Sequence, residues 1–367
     1  MKIVNSHVHI FDEHCVAEKY IGSKILQKIV NTYPGPIIKT LNFLSITDKK
    51  KLAKYAAFIK NENKTMLQNL KELKSHYPFG TKFSVLTINM EGMGAGKVPK
   101  PYRQQLREVV GIKQASEPIL IFYHAIPEVE YCNTLLEEYI KKIQGIKIYP
   151  LMGHFPYHNT LMETYEYCKS YNLPVISHCA PINPTHQRDK KYVLQSLKTS
   201  RFPLITELNA PLDELCSNFS HPTHLAYVAK KFPTVNFCAA HMGGDVELEK
   251  FIERKEIDYL IGKKKKEGKI NDFSWTYWVL KYCLLLPNFY TDISYTFYSD
   301  KYQKFLKLLL MHPELKKKIL FGTDYYMNKI ETLEEDTYYR NLIYTIGKEH
   351  FNQIASINQE HFYKYKI

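Results

Sequence analysis

Short apolar runs punctuate the chain, each rich in β-branched residues and bounded by glycine, proline or polar clusters. Eight stand out: KIVNSHVHI (2–10), KFSVLTINM (82–90), ILIFYHAI (119–126), GIKIYPL (145–151), PVISHCA (174–180), TVNFCAAHM (234–242), NFYTDISY (288–295) and ILFGTDYY (319–326). Several are nearly continuous rather than alternating, as strands buried on both faces must be. Between them, NTLLEEYIKKI (133–143), TLMETYEYCKSY (160–171), THLAYVAKKF (223–232) and YQKFLKLLLMH (302–312) repeat apolar residues at spacings of three and four. That is one face of a helix. Proline and asparagine in NLPV, KFPTV and LPNF stop the helices just before the next strand. Strand and helix alternating around eight strands predict an α/β fold, a (β/α)8 TIM barrel.

The 367 residues read as a single domain, 1–367, because no Pro/Ser-rich linker divides them and barrels of this kind often exceed 250 residues. Three stretches exceed what a crossover needs: 11–80, 181–220 and 245–287. They are expected as helical insertions over the C-terminal face. Apolar residues at 45% and charged residues at 24% belong to a chain with a packed core, not to a disordered one.

The start of the chain is too short and too polar for the apolar region of a signal peptide, and no uncharged apolar run reaches 18 residues. A cytoplasmic protein without membrane partners is expected. Seven cysteines without a C-x-x-C pair read as free thiols in a reducing compartment. The net charge of +13 hints at nucleic acid, but much of it is lysine spread over helices, and the dense run GKKKKEGK (262–269) reads as a solvated loop. Nucleic acid is therefore not the expected partner.

Barrels of this type build their active sites at the C-terminal strand ends. There the chain places His7 and His9, then Lys147, His178, His241 and Asp324, on strands one, four, five, six and eight. Residues i and i+2 of a strand share a face, so the two histidines of HVH lie about 7 Å apart along the backbone and both address the interior. Two such imidazoles can chelate one divalent ion, and a His/Asp set with an open position suits zinc. Each later residue also has a plainer explanation. His178 can be a satisfied core histidine, Asp324 a helix cap, and the glycines after His241 a tight turn. Lys147 is a cation in an apolar strand, costly unless paired or chemically altered.

Five motifs in order, SHVHIFD, GIKIYP, YNLPVISHCAP, HPTHLAYVAKKFPTVNFCAAHMGG and ILFGTDYY, resemble the amidohydrolase superfamily in its amidohydrolase-related (amidohydrolase 2) branch, from residue 1 to about 330. The resemblance implies a divalent metal, zinc first, one or two per chain. Its ligands would be His7, His9, His178 and Asp324, with His241 a second-metal ligand or an acid/base group. It also implies that Lys147, if carboxylated, would bridge two metals. A zinc-bound water near pKa 7 would attack an amide, lactone or ester-like bond of a small molecule, with Asp324 as general base and the metal or His241 polarising the carbonyl.

A nonoxidative decarboxylase is the alternative within the same family. A TatD-like metal-dependent nuclease is the alternative outside it, although such enzymes carry a glutamate where this chain has Lys147. Further substrate contacts are expected at His124, Arg188 and Asp292, near the mouth. The loop MEGMGAGKVPK (90–100) fails the G-x-x-x-x-G-K pattern and reads as a flexible loop after strand two. His14, His154, His158, His221 and His224 carry no second feature, and a homo-oligomer is an open option.

Overall fold

Buried β-branched and aromatic runs pair in chain order to give eight parallel strands, β1 (Val4–Val8), β2 (Lys82–Leu86), β3 (Ile119–His124), β4 (Gly145–Ile148), β5 (Val175–Ser177), β6 (Phe237–Ala239), β7 (Phe289–Asp292) and β8 (Ile319–Leu320). The computed structural model describes residues 2–20, 64–115, 118–181, 186–265, 269–325 and 334–364. The last strand returns to the first. The Ser6 amide donates to the Phe321 carbonyl at 2.9 Å, and Val8 bridges Tyr325 in parallel. This is the predicted (β/α)8 barrel.

The amphipathic segments fold as helices close to their predicted bounds: Cys132–Tyr139, Asn159–Tyr171, Pro222–Lys231 and Asp300–Leu310. The insertion at 181–220 contains the helices Lys190–Leu197 and Leu212–Ser220. The insertion at 245–287 contains Asp245–Glu253 and Trp275–Leu285. Of the first insertion, residues 21–63 lie outside the described residues. Ladders are shorter than the apolar runs, so His178, His241 and Asp324 sit just past the ends of β5, β6 and β8.

Inside the barrel, side chains such as Leu120, Phe122, Ile176 and Cys238 form a cluster distinct from the larger one between strands and helices. Phe362 and Tyr363, from the last helical segment, join this inner cluster, and the Tyr363 hydroxyl meets that of Ser84. They fill the end of the barrel opposite the site.

Strand β1 contains the irregularity that matters most for function. Asn5 pairs with Phe83 and Val8 with Val85, so one extra residue lies on β1 between them. Under strict alternation Val4 and Val8 would share a face. Instead Val4 joins the inner cluster and Val8 the outer one. The bulge inverts the phase of the strand and turns His7 and His9 inward.

Candidate metal centre and active site

His7 and His9 are held in defined tautomers from behind. His7 Nδ1 donates to Asp292 Oδ2 at 2.8 Å and His9 Nδ1 donates to the Leu86 carbonyl at 2.9 Å. Both Nε2 lone pairs then face the same oxygen, Asp324 Oδ1, at 3.5 Å from His7 and 3.2 Å from His9. Neither His7 Nε2 nor Asp324 Oδ1 has a hydrogen-bond partner. Burial, with the Lys147 charge nearby, drives the His7 ring down to about 3, so His7 brings no proton of its own to this gap. Burial also opposes ionisation of Asp324, yet the facing His9, His7 and His241 rings hold its carboxyl below the usual carboxylate range.

Three acceptor atoms converging in a buried place repel one another unless a cation sits between them. With ligand distances of about 2.1 Å, neighbouring atoms of a tetrahedral site lie about 3.4 Å apart. The 3.2 and 3.5 Å separations match that edge. The residues present therefore fit a divalent ion, with His7, His9 and Asp324 as ligands.

His178 and His241 extend the arrangement. His241 Nδ1 lies 3.1 Å from the Ser294 carbonyl, to which it donates, and His241 Nε2 lies 3.1 Å from His178 Nδ1. His178 Nε2 is left buried without a partner, an open acceptor, while its ring stacks on Tyr149 at 4.5 Å. Burial lowers the pKa of both rings. A second group, His7, His241 and Asp292, also gathers three possible ligand atoms. Its atoms are already joined by hydrogen bonds through Ser294, whose hydroxyl lies 3.1 Å from His7 Nδ1 and 2.9 Å from His241 Nδ1. It is a saturated network, not a second open metal site.

Two of the chemistry-bearing residues occupy left-handed backbone. His241 has φ +66° and Asp324 has φ +58°. Non-glycine residues pay roughly 1–3 kcal/mol for such conformations, which persist where the surroundings over-determine them. Here the Asp324 and Thr323 amides both donate to the His7 carbonyl, at 2.8 and 3.3 Å, which wraps the end of β8 around β1. After His241 the turn continues through Gly243, φ +94°, where a Cβ would stand 2.8 Å from the Thr276 amide nitrogen. Only glycine fits there.

Across the mouth, Lys147 and His124 are register partners on adjacent strands, so they share the inner face. Lys147 is 1% exposed and its Nζ has no hydrogen-bond partner. Burial lowers its ammonium to about 8, against the pull of Asp292 and Asp324. The Asn89 amide donates to His124 Nδ1 at 2.8 Å, so the ring proton lies on Nε2, which is also buried without a partner. These two residues present donors, where β1 and β8 present acceptors.

The other expected substrate contacts fall differently. Asp292 is fully buried, and its carboxylate accepts from His7 Nδ1, the Ser294 hydroxyl and the His241 amide, the last at 2.8 Å. Through these bonds Asp292, expected to touch substrate, orients the two rings. Arg188 is half-buried and donates to the Tyr20 carbonyl at 3.2 Å, beside His186. The loop 90–100, expected to be flexible, is tied to other segments by four main-chain bonds: Lys19 N to Ala95 O, Glu18 N to Lys97 O, Arg188 N to Met93 O and Lys100 N to His14 O.

Sequence reasoning missed Ser294, and it passed over His154. His154 lies buried after β4, its Nδ1 3.0 Å from Glu128 Oε1, and Tyr192 donates to the same oxygen. No local pattern announces a pair 26 residues apart in separate loops.

A family profile described as Amidohydrolase matches residues 113–358, about two thirds of the chain. No curated protein matches it in sequence. Solved structures share the fold over almost the whole length. A 2,6-dihydroxybenzoate decarboxylase from Rhizobium is 14% identical, with 99% of each chain covered and a TM-score of 0.53. A probable 2-pyrone-4,6-dicarboxylic acid hydrolase from Acinetobacter baumannii, with citric acid bound, is 10% identical, covering 99% of this chain and 100% of that one, at 0.52. A 5-carboxyvanillate decarboxylase from Novosphingobium aromaticivorans, complexed with manganese and 4-hydroxy-3-methoxy-5-nitrobenzoic acid, is 10% identical, covering 99% and 96%, at 0.55.

Proposed function

This chain belongs to the amidohydrolase family, and on that premise we propose that it is a metal-dependent hydrolase of a small molecule, opening an ester, lactone or amide bond with one zinc ion per chain. The observation that carries the reading is the convergence of His7 Nε2, His9 Nε2 and Asp324 Oδ1 with no donor between them. His178 Nε2 supplies a fourth acceptor nearby. When bound, the ion offers Lewis-acid polarisation of a carbonyl oxygen and a lowered pKa for water.

The protein's own groups do the rest. Asp324, ionised, takes the proton of the attacking water and returns it to the leaving group. His178 Nδ1 donates to His241 Nε2, which leaves His178 Nε2 as the acceptor of its ring. His241 Nδ1, bonded to the Ser294 carbonyl, fixes that ring. Asp292 keeps His7 in the tautomer that points its lone pair inward. His7, His9, His178, His241 and Asp324 are all buried.

Nonoxidative decarboxylation is the second reading, favoured by donors facing the acceptor group at Lys147 and His124 and by fold relatives that are decarboxylases. The test is metal analysis of the purified protein with a panel of lactones, esters and aromatic acids, following both acid and carbon dioxide release. Acid release that needs zinc supports hydrolysis, and carbon dioxide release replaces it with the second reading. A wild-type protein without metal, or one whose metal and turnover survive His7→Ala with His9→Ala, defeats both.

A further inference from the structure

The segments that follow β2, β3, β4 and β5 meet at one buried carboxylate. Glu128 Oε1 accepts from His154 Nδ1 and from the Tyr192 hydroxyl, each at 3.0 Å. A Cβ on Gly92 would stand 2.7 Å from Glu128 Cβ, so the loop after β2 closes on the same side chain. His154 and Glu128 are both buried, yet His154 Nε2 and Glu128 Oε2 have no hydrogen-bond partner among the described residues. With its Nδ1 proton given to Glu128, the neutral His154 ring carries a bare lone pair at Nε2. Among the charged groups that act on His124, His154 comes ahead of Lys147 and His9, so one ring at the end of β3 feels both His154 and a metal-facing histidine. His158 is the remaining titratable neighbour.

A histidine backed by a carboxylate, with its far nitrogen open, is built to take up a proton: the carboxylate fixes the tautomer and steadies the imidazolium that forms. Hydrolysis makes such a group necessary. Of the two protons of the attacking water, Asp324 moves one to the leaving oxygen. The other stays on the attacking oxygen and ends on the carboxylic acid product, whose ordinary pKa near 4 makes it ionise at neutral pH. One proton per turnover must therefore leave a buried site.

We propose that His154 Nε2 takes this second proton, with Glu128 compensating the charge of the ring. The proposal deepens the hydrolase reading above and rests on it. The O–H bond of the product acid breaks as an N–H bond forms at Nε2, the product departs as carboxylate, and the imidazolium then releases its proton to water. For an amide the departing amine would consume this proton itself, so the need arises with an ester or a lactone.

The test uses zinc-loaded protein with p-nitrophenyl acetate, dihydrocoumarin and γ-butyrolactone, and reads tautomer and turnover separately. In 15N-histidine spectra at pH 9, the signal lost in His154→Asn is expected to show a protonated Nδ1 and a bare Nε2. Glu128→Gln, whose amide can offer its own N–H, should mix or reverse that tautomer. His154→Asn keeps a donor for Glu128 and loses only the accepting nitrogen. Its kcat should fall by about 100-fold with KM and zinc content unchanged, and should rise again with the concentration of imidazole buffer, to which wild type is indifferent. Glu128→Gln should lose about tenfold or more, and it carries the kinetic arm if His154→Asn does not fold.

A purely structural link between loops predicts the opposite, because His154→Asn preserves that link. The proposal is overturned if His154→Asn turns over as wild type does, if its loss does not respond to imidazole, or if the wild-type neutral ring carries its proton on Nε2. Each of these leaves zinc-dependent acid release intact. A protein that releases no acid from any of the three compounds removes the hydrolase reading, and this role with it, so the two failures are distinguishable.

Discussion

On β1 and β8 the atoms left without partners are lone pairs, at His7 Nε2 and Asp324 Oδ1, whereas on β3 and β4 they are N–H groups, at His124 and Lys147. Both sides are equally buried and both belong to the same end of one barrel. The difference arises from the residues behind them. Asp292 and the Leu86 carbonyl take the Nδ1 protons of His7 and His9, while the Asn89 amide gives its proton to His124. Three histidines of one barrel thus become two acceptors and one donor through their outer hydrogen bonds alone.

The comparison breaks most decisively at β1. His7→Ala with His9→Ala should abolish metal binding and turnover together, read by metal analysis and assay, while circular dichroism stays that of the folded barrel. Retained metal would mean that lone pairs do not make the site.

Lys147 should behave in the opposite sense. A lysine whose folded value lies below its unfolded one destabilises the native state while it is protonated there, and stability returns between the two values, as the folded lysine sheds its proton while the unfolded chain keeps its own. The fall from 10.5 to about 8 amounts to about 3 kcal/mol. In protein stripped of metal with EDTA, wild type should gain on that order relative to Lys147→Met between pH 8 and 10.5, measured by urea unfolding. A stability difference independent of pH would show that the lysine is not a buried lone cation.

Removal of the support behind His7 should cost less than removal of His7 itself. Asp292→Asn is expected to weaken metal affinity roughly 10- to 100-fold, because the amide can offer its own N–H and reverse the tautomer. Competition with a chromogenic chelator measures it, and an unchanged affinity would mean that the tautomer is set elsewhere. Smallest of all, Ser294→Ala removes a neutral hydroxyl from the same network and should cost roughly 1 kcal/mol of stability, with metal affinity within a few-fold of wild type.

The barrel is legible in the sequence because burial on both faces makes its strands continuous apolar runs, and because amphipathic helices with clear stops separate them. His7, His9 and Asp324 are legible as strand-end residues, and the structure does bring them together. The face they take is not. Alternation counted from Val4 puts both histidines outside, and only the extra residue between Asn5 and Val8, visible once β2 is alongside, turns them in. Asp292 is visible as an acid near a strand end, but its partners His7 and His241 are 285 and 51 residues away. Ser294 and the His154–Glu128 pair have no spacing signature for the same reason. The helices after 334, which close the far end of the barrel with Phe362 and Tyr363, fall beyond the reach of the family-like motifs.

The closure of the barrel has a consequence for synthesis. The carboxylate that His7 faces leaves the ribosome more than three hundred residues after it, and the main-chain bonds that seat Asp324 run to the His7 carbonyl itself. During translation His7 and His9 must wait for a partner not yet made, because chains are built from the N-terminal end at several residues per second. The docking of the first strand with the last, a contact of very high sequence separation, is then expected to come late. Metal capture should lag behind the appearance of helical structure, as a late checkpoint that a truncated or stalled chain cannot pass.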